Sequence, residues 1–389
     1  MVWSRLFGLV LVAVVVGSGC DDAADDAPSD VADGAAADGA ADSSATARPD
    51  LKWDVTKAGP YRIGFRTWNH TYTPPGASAP RTIALSLWYP TDVASGPVGT
   101  YYGLFDDPLV IADAAPAPPV TDGGYPLHLY SHGHQGYGGS SPHLARHFAS
   151  HGWVVVAPDH TGGTFSDGDA RGPSIYWLKM ADTTATLDAL EQLASSDPLA
   201  GKIDTKHTVL SAHSFGCWNL FATAGAPLDP GIVAERCAGL AKPGDPCDQT
   251  TLAQWKRDWR DPRVVAAIPM ASAPYDAEPF GAAGLAKLAV PTFLMSGKAD
   301  AGHDGAPIWA WLDGADASWI DVTNGCHQLF ALGGCPDLPE VVGTPIVYTY
   351  ALAFARGHVL ADQSAAVQDI LSGKTVVSPL ASFARTTKR

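Results

Sequence analysis

Basic residues are scarce in this 389-residue chain: 25 lysines and arginines stand against 40 aspartates and glutamates, a formal net charge of −15. Such a balance repels phosphate and excludes nucleic acid or anionic surfaces as partners. Long apolar runs are missing too. The stretch Leu6 to Val16 falls short of the about 20 residues needed to cross a bilayer. There is no internal repeat and, beyond residue 50, no second linker, so the body reads as one domain. His143, His147 and His151 recur at one helical face, but no Cys, Asp or Glu joins them at metal-ligand spacing, and no metal is expected there.

The N-terminus has its own organisation. Arg5, the apolar Leu6 to Val16 and the small residues Gly17-Ser18-Gly19 read as an export signal over residues 1–20, cleaved rather than spanning. Cysteine directly after small residues resembles the lipobox of bacterial lipoproteins, with Gly17 where that motif usually has leucine. The resemblance implies lipidation of Cys20, membrane association and a cell-envelope location; a plain signal implies a periplasmic or secreted protein. Residues 21–50 are a tether of Ala, Asp, Gly and Ser, with nine aspartates, one arginine and no aromatic residue. It has no face to bury and is predicted to be disordered. The remaining body, 51–389, is only mildly acidic.

In that body, Tyr61 to Pro90 reads as a hairpin at a sheet edge, and 97–125 as loop with room for a short ordered piece over residues 104–112. Apolar strands are predicted at Leu127–Ser131, Trp153–Ala157, Thr208–Ser211, Val264–Met270, Val290–Ser296 and Ser318–Val322. Helical patterns cover Ser140–His151, Ser174–Leu193 and Thr344–Leu360. Strands apolar throughout and separated by helices predict a mostly parallel sheet covered on both faces, a three-layer α/β fold.

The chain is organised around TVLSAHSFGCWN, Thr208 to Asn219. A strand runs into Ala212-His213-Ser214-Phe215-Gly216 and a helix follows, which is a nucleophile elbow in outline. Ala212 stands where the usual pattern has glycine. Reactive groups in open parallel sheets gather at the carboxyl ends of strands. There the sequence places His132-Gly133-His134, Asp159-His160, Ser214, Asp300 and His327. A serine hydroxyl attacks only when a base takes its proton, histidine titrates in the useful range, and a carboxylate fixes its tautomer. Ser214 is thus the expected nucleophile, His327 the base and Asp300 the orienting acid. The backbone N–H groups of His134 and Phe215 are the expected oxyanion donors.

Alternatives stand beside these. Asp276 is the reserve acid, with Asp304 and Asp313 less well placed. Asp300 could instead cap the helix starting near Pro307. His303 and His358 compete with His327, which follows the final strand and lies between Cys326 and Cys335.

Taken together, LHLYSHGHQGYGG, HFASHGWVVVAPDHTG, VLSAHSFG, VPTFLMSGKAD and CHQLF resemble the platelet-activating-factor acetylhydrolase and dienelactone-hydrolase-like branch of the α/β-hydrolases. The resemblance spans residues 60 to 360 and implies that fold. It implies cleavage of carboxylic esters through an acyl-enzyme, without a cofactor, on small-molecule or lipid substrates, or polyesters in cutinase-like relatives. Two departures are visible. Dienelactone hydrolases use a cysteine where this elbow has Ser214. In the eukaryotic acetylhydrolases the acid follows the strand after the elbow, where this chain has Ala271 and Ser272, which moves the role to Asp300. An amidase or exopeptidase on the same triad, and a silent ligand-binding relative, are the rival functions.

In an exported chain thiols pair. Cys326 with Cys335 would brace the loop beside His327, and Cys237 with Cys247 would staple a Pro- and Gly-rich insertion at 225–261. That leaves Cys20 for lipid and Cys217 as a buried helix residue. Tyr137, His160, Phe165, Trp177 and Trp218 are candidates for the substrate pocket, Tyr176 beside them, and a monomer is expected.

Overall fold

The computed structural model describes residues 53–168, 174–238 and 249–386. The predicted signal, Cys20 and the tether lie outside those residues, as does Cys247 of the predicted Cys237–Cys247 bond. Among the described residues no helix is long and apolar enough to cross a membrane.

Eleven strands form one sheet. In chain order they are β1 Arg62–Tyr72, β2 Arg81–Thr91, β3 Val98–Tyr101, β4 Phe105–Ala112, β5 Tyr125–Ser131 and β6 Val154–Pro158. β7 Ile203–His213, β8 Val264–Met270, β9 Thr292–Gly297, β10 Ala317–Val322 and β11 Ala381–Thr386 follow. Across the sheet the order is β11-β10-β9-β8-β7-β5-β6-β2-β1-β4-β3. From β6 to β10 every neighbouring pair is parallel. Both flanks are closed by antiparallel pairs, β2 on β6 and β11 on β10.

The apolar strands explain the layering. Successive side chains point to opposite faces, so Val154 and Val156 of β6 enter one core while Val155 and Ala157 enter the other. The first core packs against helices α2 (Ile175–Glu191) and α3 (Gly216–Thr223). The second packs against α1 (Pro142–Ser150) and the closing helix Glu340–Val359. Two cores around one sheet make three layers.

Two expectations need correcting. The β1–β2 hairpin is not at the edge, because β4 pairs with β1 and β3 with β4 beyond it. The stretch read mainly as loop thus supplies the outer hairpin. Asp106, Asp107 and Pro108 disguised it, and an outlying strand tolerates proline because β4 bonds β1 only over Val110–Ala112. β11 is also additional to the predicted strands; its polar ASFART sequence carries no apolar alternation.

Two of the three histidines of the α1 segment hold backbone, and His143 is buried beside them. His147 Nε2 donates to the Val55 carbonyl at 3.0 Å and His151 Nε2 to that of Lys57 at 2.9 Å, fastening the entry segment to the core. Burial depresses the pKa of His128, His143 and His147 to about 3 and of His151 to about 4. Below the unfolded value of about 6.5 the unfolded chain binds protons that the native state refuses. Stability is therefore full above that pH and falls as pH drops toward 4. Each such histidine contributes a slope of up to about 1.4 kcal/mol per pH unit. Calorimetry from pH 7 to pH 4 should show a steep drop in Tm, and a flat profile would contradict the buried neutral assignment.

Candidate active site

The site begins where β7 ends. Ser214 follows His213 with φ at 52°, in the left-handed region that non-glycine residues avoid. The surroundings impose that strain: Ser214 N donates to Met270 O at 2.9 Å, and Cys217 N donates to Ser214 O at 2.8 Å. Gly216 must be glycine, because a Cβ there would lie 2.4 Å from the Ser131 carbonyl oxygen. Ala212 fits without exposure, so the extra methyl is accommodated. A Cβ on Gly133 would sit 3.0 Å from Ser214 Cβ, which places the His132-Gly133-His134 turn directly against the elbow.

Asp300 follows β9, and His327 follows β10. Asp300 Oδ2 accepts a hydrogen bond from His327 Nδ1 at 2.9 Å. Burial raises the Asp300 pKa, but the His303 and His327 hydrogen bonds outweigh it and hold the carboxyl below its usual value. His213 Nε2 donates to the His327 carbonyl at 3.0 Å, their rings lying 4.5 Å apart. Burial pushes the His213 pKa down to about 3, so this ring is a neutral brace. The Cys326–Cys335 disulfide anchors the residue immediately before His327. His327 is thereby held against His213, the residue that precedes Ser214. No hydrogen bond joins Ser214 Oγ to His327 in this state, and neither Ser214 Oγ nor His327 Nε2 is among the fully enclosed partnerless atoms.

The competing acids and bases sit elsewhere or do other work. Asp276 is buried in the short helix Pro274–Ala277, where its charge acts on the Cys217 thiol and on His303. Asp304 caps the helix Gly305–Trp311 by accepting from Ala306 N at 2.9 Å, so that cap is not Asp300. His358 packs on Phe354 in the closing helix. His303 is different: its Nδ1 lies 3.0 Å from Asp300 Oδ1, and its ring 4.0 Å from that of His327. Cys217 is a buried free thiol whose pKa burial raises.

The proposed pocket residues divide. Tyr137 and Phe165 cluster with Tyr102 and Phe105, ring centroids 4.7 to 6.1 Å apart, beside the turn that follows His134. Trp177 and Trp218 instead lie in the core, and Trp218 Nε1 donates to the Tyr176 carbonyl at 2.9 Å. His160 is sealed as well, between Asp182 at 2.9 Å and Ser131 Oγ at 2.8 Å. These three form no open wall, because α2 and α3 pack Trp177 and Trp218 into the core and His160 is closed off by Asp182 and Ser131.

Beneath the turn runs a polar network that sequence reasoning missed. Asp182 is fully buried; burial raises its pKa, yet bonds from Arg81 and His160 bring it down to about 2. Lys179, also on α2 and 1% exposed, donates through Nζ to the His132 carbonyl at 2.8 Å. Its Nζ lies 5.6 Å from the Phe215 ring centroid. One amine thus touches both segments expected to hold an oxyanion. Nothing in an apolar helix pattern distinguishes this lysine until the helix's buried face is known. A charged-group hydrogen bond is worth about 1.5–3 kcal/mol. Lys179→Met is accordingly expected to lower kcat roughly tenfold to hundredfold with KM little changed. Steady-state kinetics check this; an unchanged kcat would limit Lys179 to structure.

This architecture matches a solved structure, the ferulic acid esterase from Streptomyces cinnamoneus, with a TM-score of 0.55 at 19% identity, over 83% of this chain and 96% of that one. At that identity the likeness is one of fold. With the strand order and the helices on both faces, it defines an α/β-hydrolase-type fold. No known protein family and no curated protein matches the sequence.

Proposed function

We propose that the chain is an exported serine hydrolase of carboxylic esters. The observation that carries this reading is the strained Ser214 at the β7–α3 turn, facing the same rim as the His327–Asp300 pair. Ser214 Oγ attacks the ester carbonyl while His327 Nε2 takes its proton. The carbonyl π electrons move to oxygen, and the resulting oxyanion accepts hydrogen bonds from the N–H groups of Phe215 and His134. Collapse expels the alcohol, which takes the proton back from His327, and leaves an acyl-Ser214. Water repeats the sequence to release the acid. Asp300 keeps Nδ1 protonated and stabilises the imidazolium.

Within the resembled branch the substrates are short-acyl or lipid esters; the structural neighbour is named for ferulic acid. A panel of p-nitrophenyl esters of increasing acyl length, a feruloyl ester and the matching anilides tests the reading on residues 51–389. Ester turnover with little anilide turnover supports it. Faster anilide cleavage would assign an amidase, and no labelling by a fluorophosphonate would assign a silent binding protein.

A further inference from the structure

We propose that Asp300, His303 and His327 form a reversible inhibitory site for zinc; the inhibitory half of this rests on His327 being the base. One ligand atom from each, the two imidazole nitrogens and a carboxylate oxygen, lies within 4.8 Å of the others. Zinc binds imidazole nitrogen at about 2.0–2.1 Å and carboxylate oxygen at about 2.0–2.2 Å, so tetrahedral donors stand roughly 3.3 Å apart. Each imidazole already stands near that distance from the carboxylate, though from different oxygens: His327 Nδ1 is 2.9 Å from Asp300 Oδ2 and His303 Nδ1 is 3.0 Å from Asp300 Oδ1. The rings, 4.0 Å apart and tilted by 39°, both turn Nδ1 toward one carboxylate. His303 Nδ1 adds a second sign. It is enclosed, and it stands 3.0 Å from Asp300 Oδ1. Two imidazole nitrogens beside one carboxylate make a two-histidine, one-carboxylate set with a fourth position left for water.

The consequence for chemistry follows from the tautomer. Bound to Asp300, His327 carries its single proton on Nδ1 and offers the Nε2 lone pair to Ser214. Zinc on Nδ1 leaves that one proton on Nε2, with no net proton lost. The nitrogen facing Ser214 is then a donor and cannot act as base. Magnesium and calcium prefer all-oxygen sets and should not compete.

The test has a binding arm and an activity arm. Calorimetry of zinc into the Ser214→Ala protein is expected to show one ion per chain. His303→Phe in that background should weaken it at least about tenfold, the lower end of what even an outer-shell partner is worth. In the active enzyme, zinc should suppress p-nitrophenyl ester hydrolysis, EDTA should restore it and magnesium should do nothing. His303→Phe, or His303→Gln if the first variant melts early, should lose the zinc sensitivity, read as the ratio of its own rates with and without zinc. Equal sensitivity with and without the His303 side chain would overturn the proposal, as would no zinc bound to Ser214→Ala. An active esterase indifferent to zinc sinks this inference alone. A chain that turns over no ester at all fails the hydrolase reading instead, and calorimetry still decides the metal site.

Discussion

Ser214→Ala is expected to lower kcat on a p-nitrophenyl ester by about 10⁶-fold and to abolish fluorophosphonate labelling, with the fold unchanged. The size follows from the unit character of such a site: without the nucleophile, the base and its acid have nothing to activate. The fold should survive because Ser214 is held through its main chain, N to Met270 O and O from Cys217 N, and both bonds persist in alanine. The positive φ costs alanine no more than serine, since each carries a Cβ. Residual turnover within about tenfold of the parent, against the about 10⁶-fold loss expected for a nucleophile, would remove Ser214 from that role.

The second large effect belongs to Asp300→Asn, expected to cost about 10⁴-fold in kcat. Asparagine keeps the shape but presents an amide to His327 Nδ1. When its N–H donates, the imidazole must carry its proton on Nε2, where it faces the serine and cannot accept. Asp276→Asn is the matched control, because Asp276 sits on the helix after β8 while the carboxylate bonded to His327 is that of Asp300. A stopped-assay comparison of the two variants decides between them: near-normal turnover in Asp300→Asn with loss in Asp276→Asn would transfer the acid to Asp276.

How much of this was legible beforehand depended on how local each feature is. The elbow could be read because Ser214, Gly216 and the apolar β7 are contiguous. The parallel sheet could be read because β6 and β8 are apolar through their length, which only two-sided burial allows. The outer hairpin β3–β4 was obscured by Asp and Pro, whose placement is permitted only by what β4 does not bond. Trp177, Trp218 and His160 looked like pocket candidates in a list of aromatic and titratable residues. The burial of the two tryptophans depends on which faces of α2 and α3 turn inward, and that of His160 on Asp182 and Ser131 meeting it from other elements.

The linear order of amino acids by itself determined the layered α/β architecture, the serine at the strand-to-helix turn and the short roster of carboxylates and imidazoles near strand ends. These follow from apolar periodicity and from small residues at a tight turn, both encoded over a few neighbours. Only the tertiary structure decided that Asp300 takes His327 on one oxygen and approaches His303 on the other, that His213 braces the His327 carbonyl, and that Lys179 reaches the His132 carbonyl. Those pairings join residues up to 114 positions apart. Apart from the local Asp300–His303 contact, each exists because separate strands and helices meet at one rim, a coincidence of register that no local pattern contains.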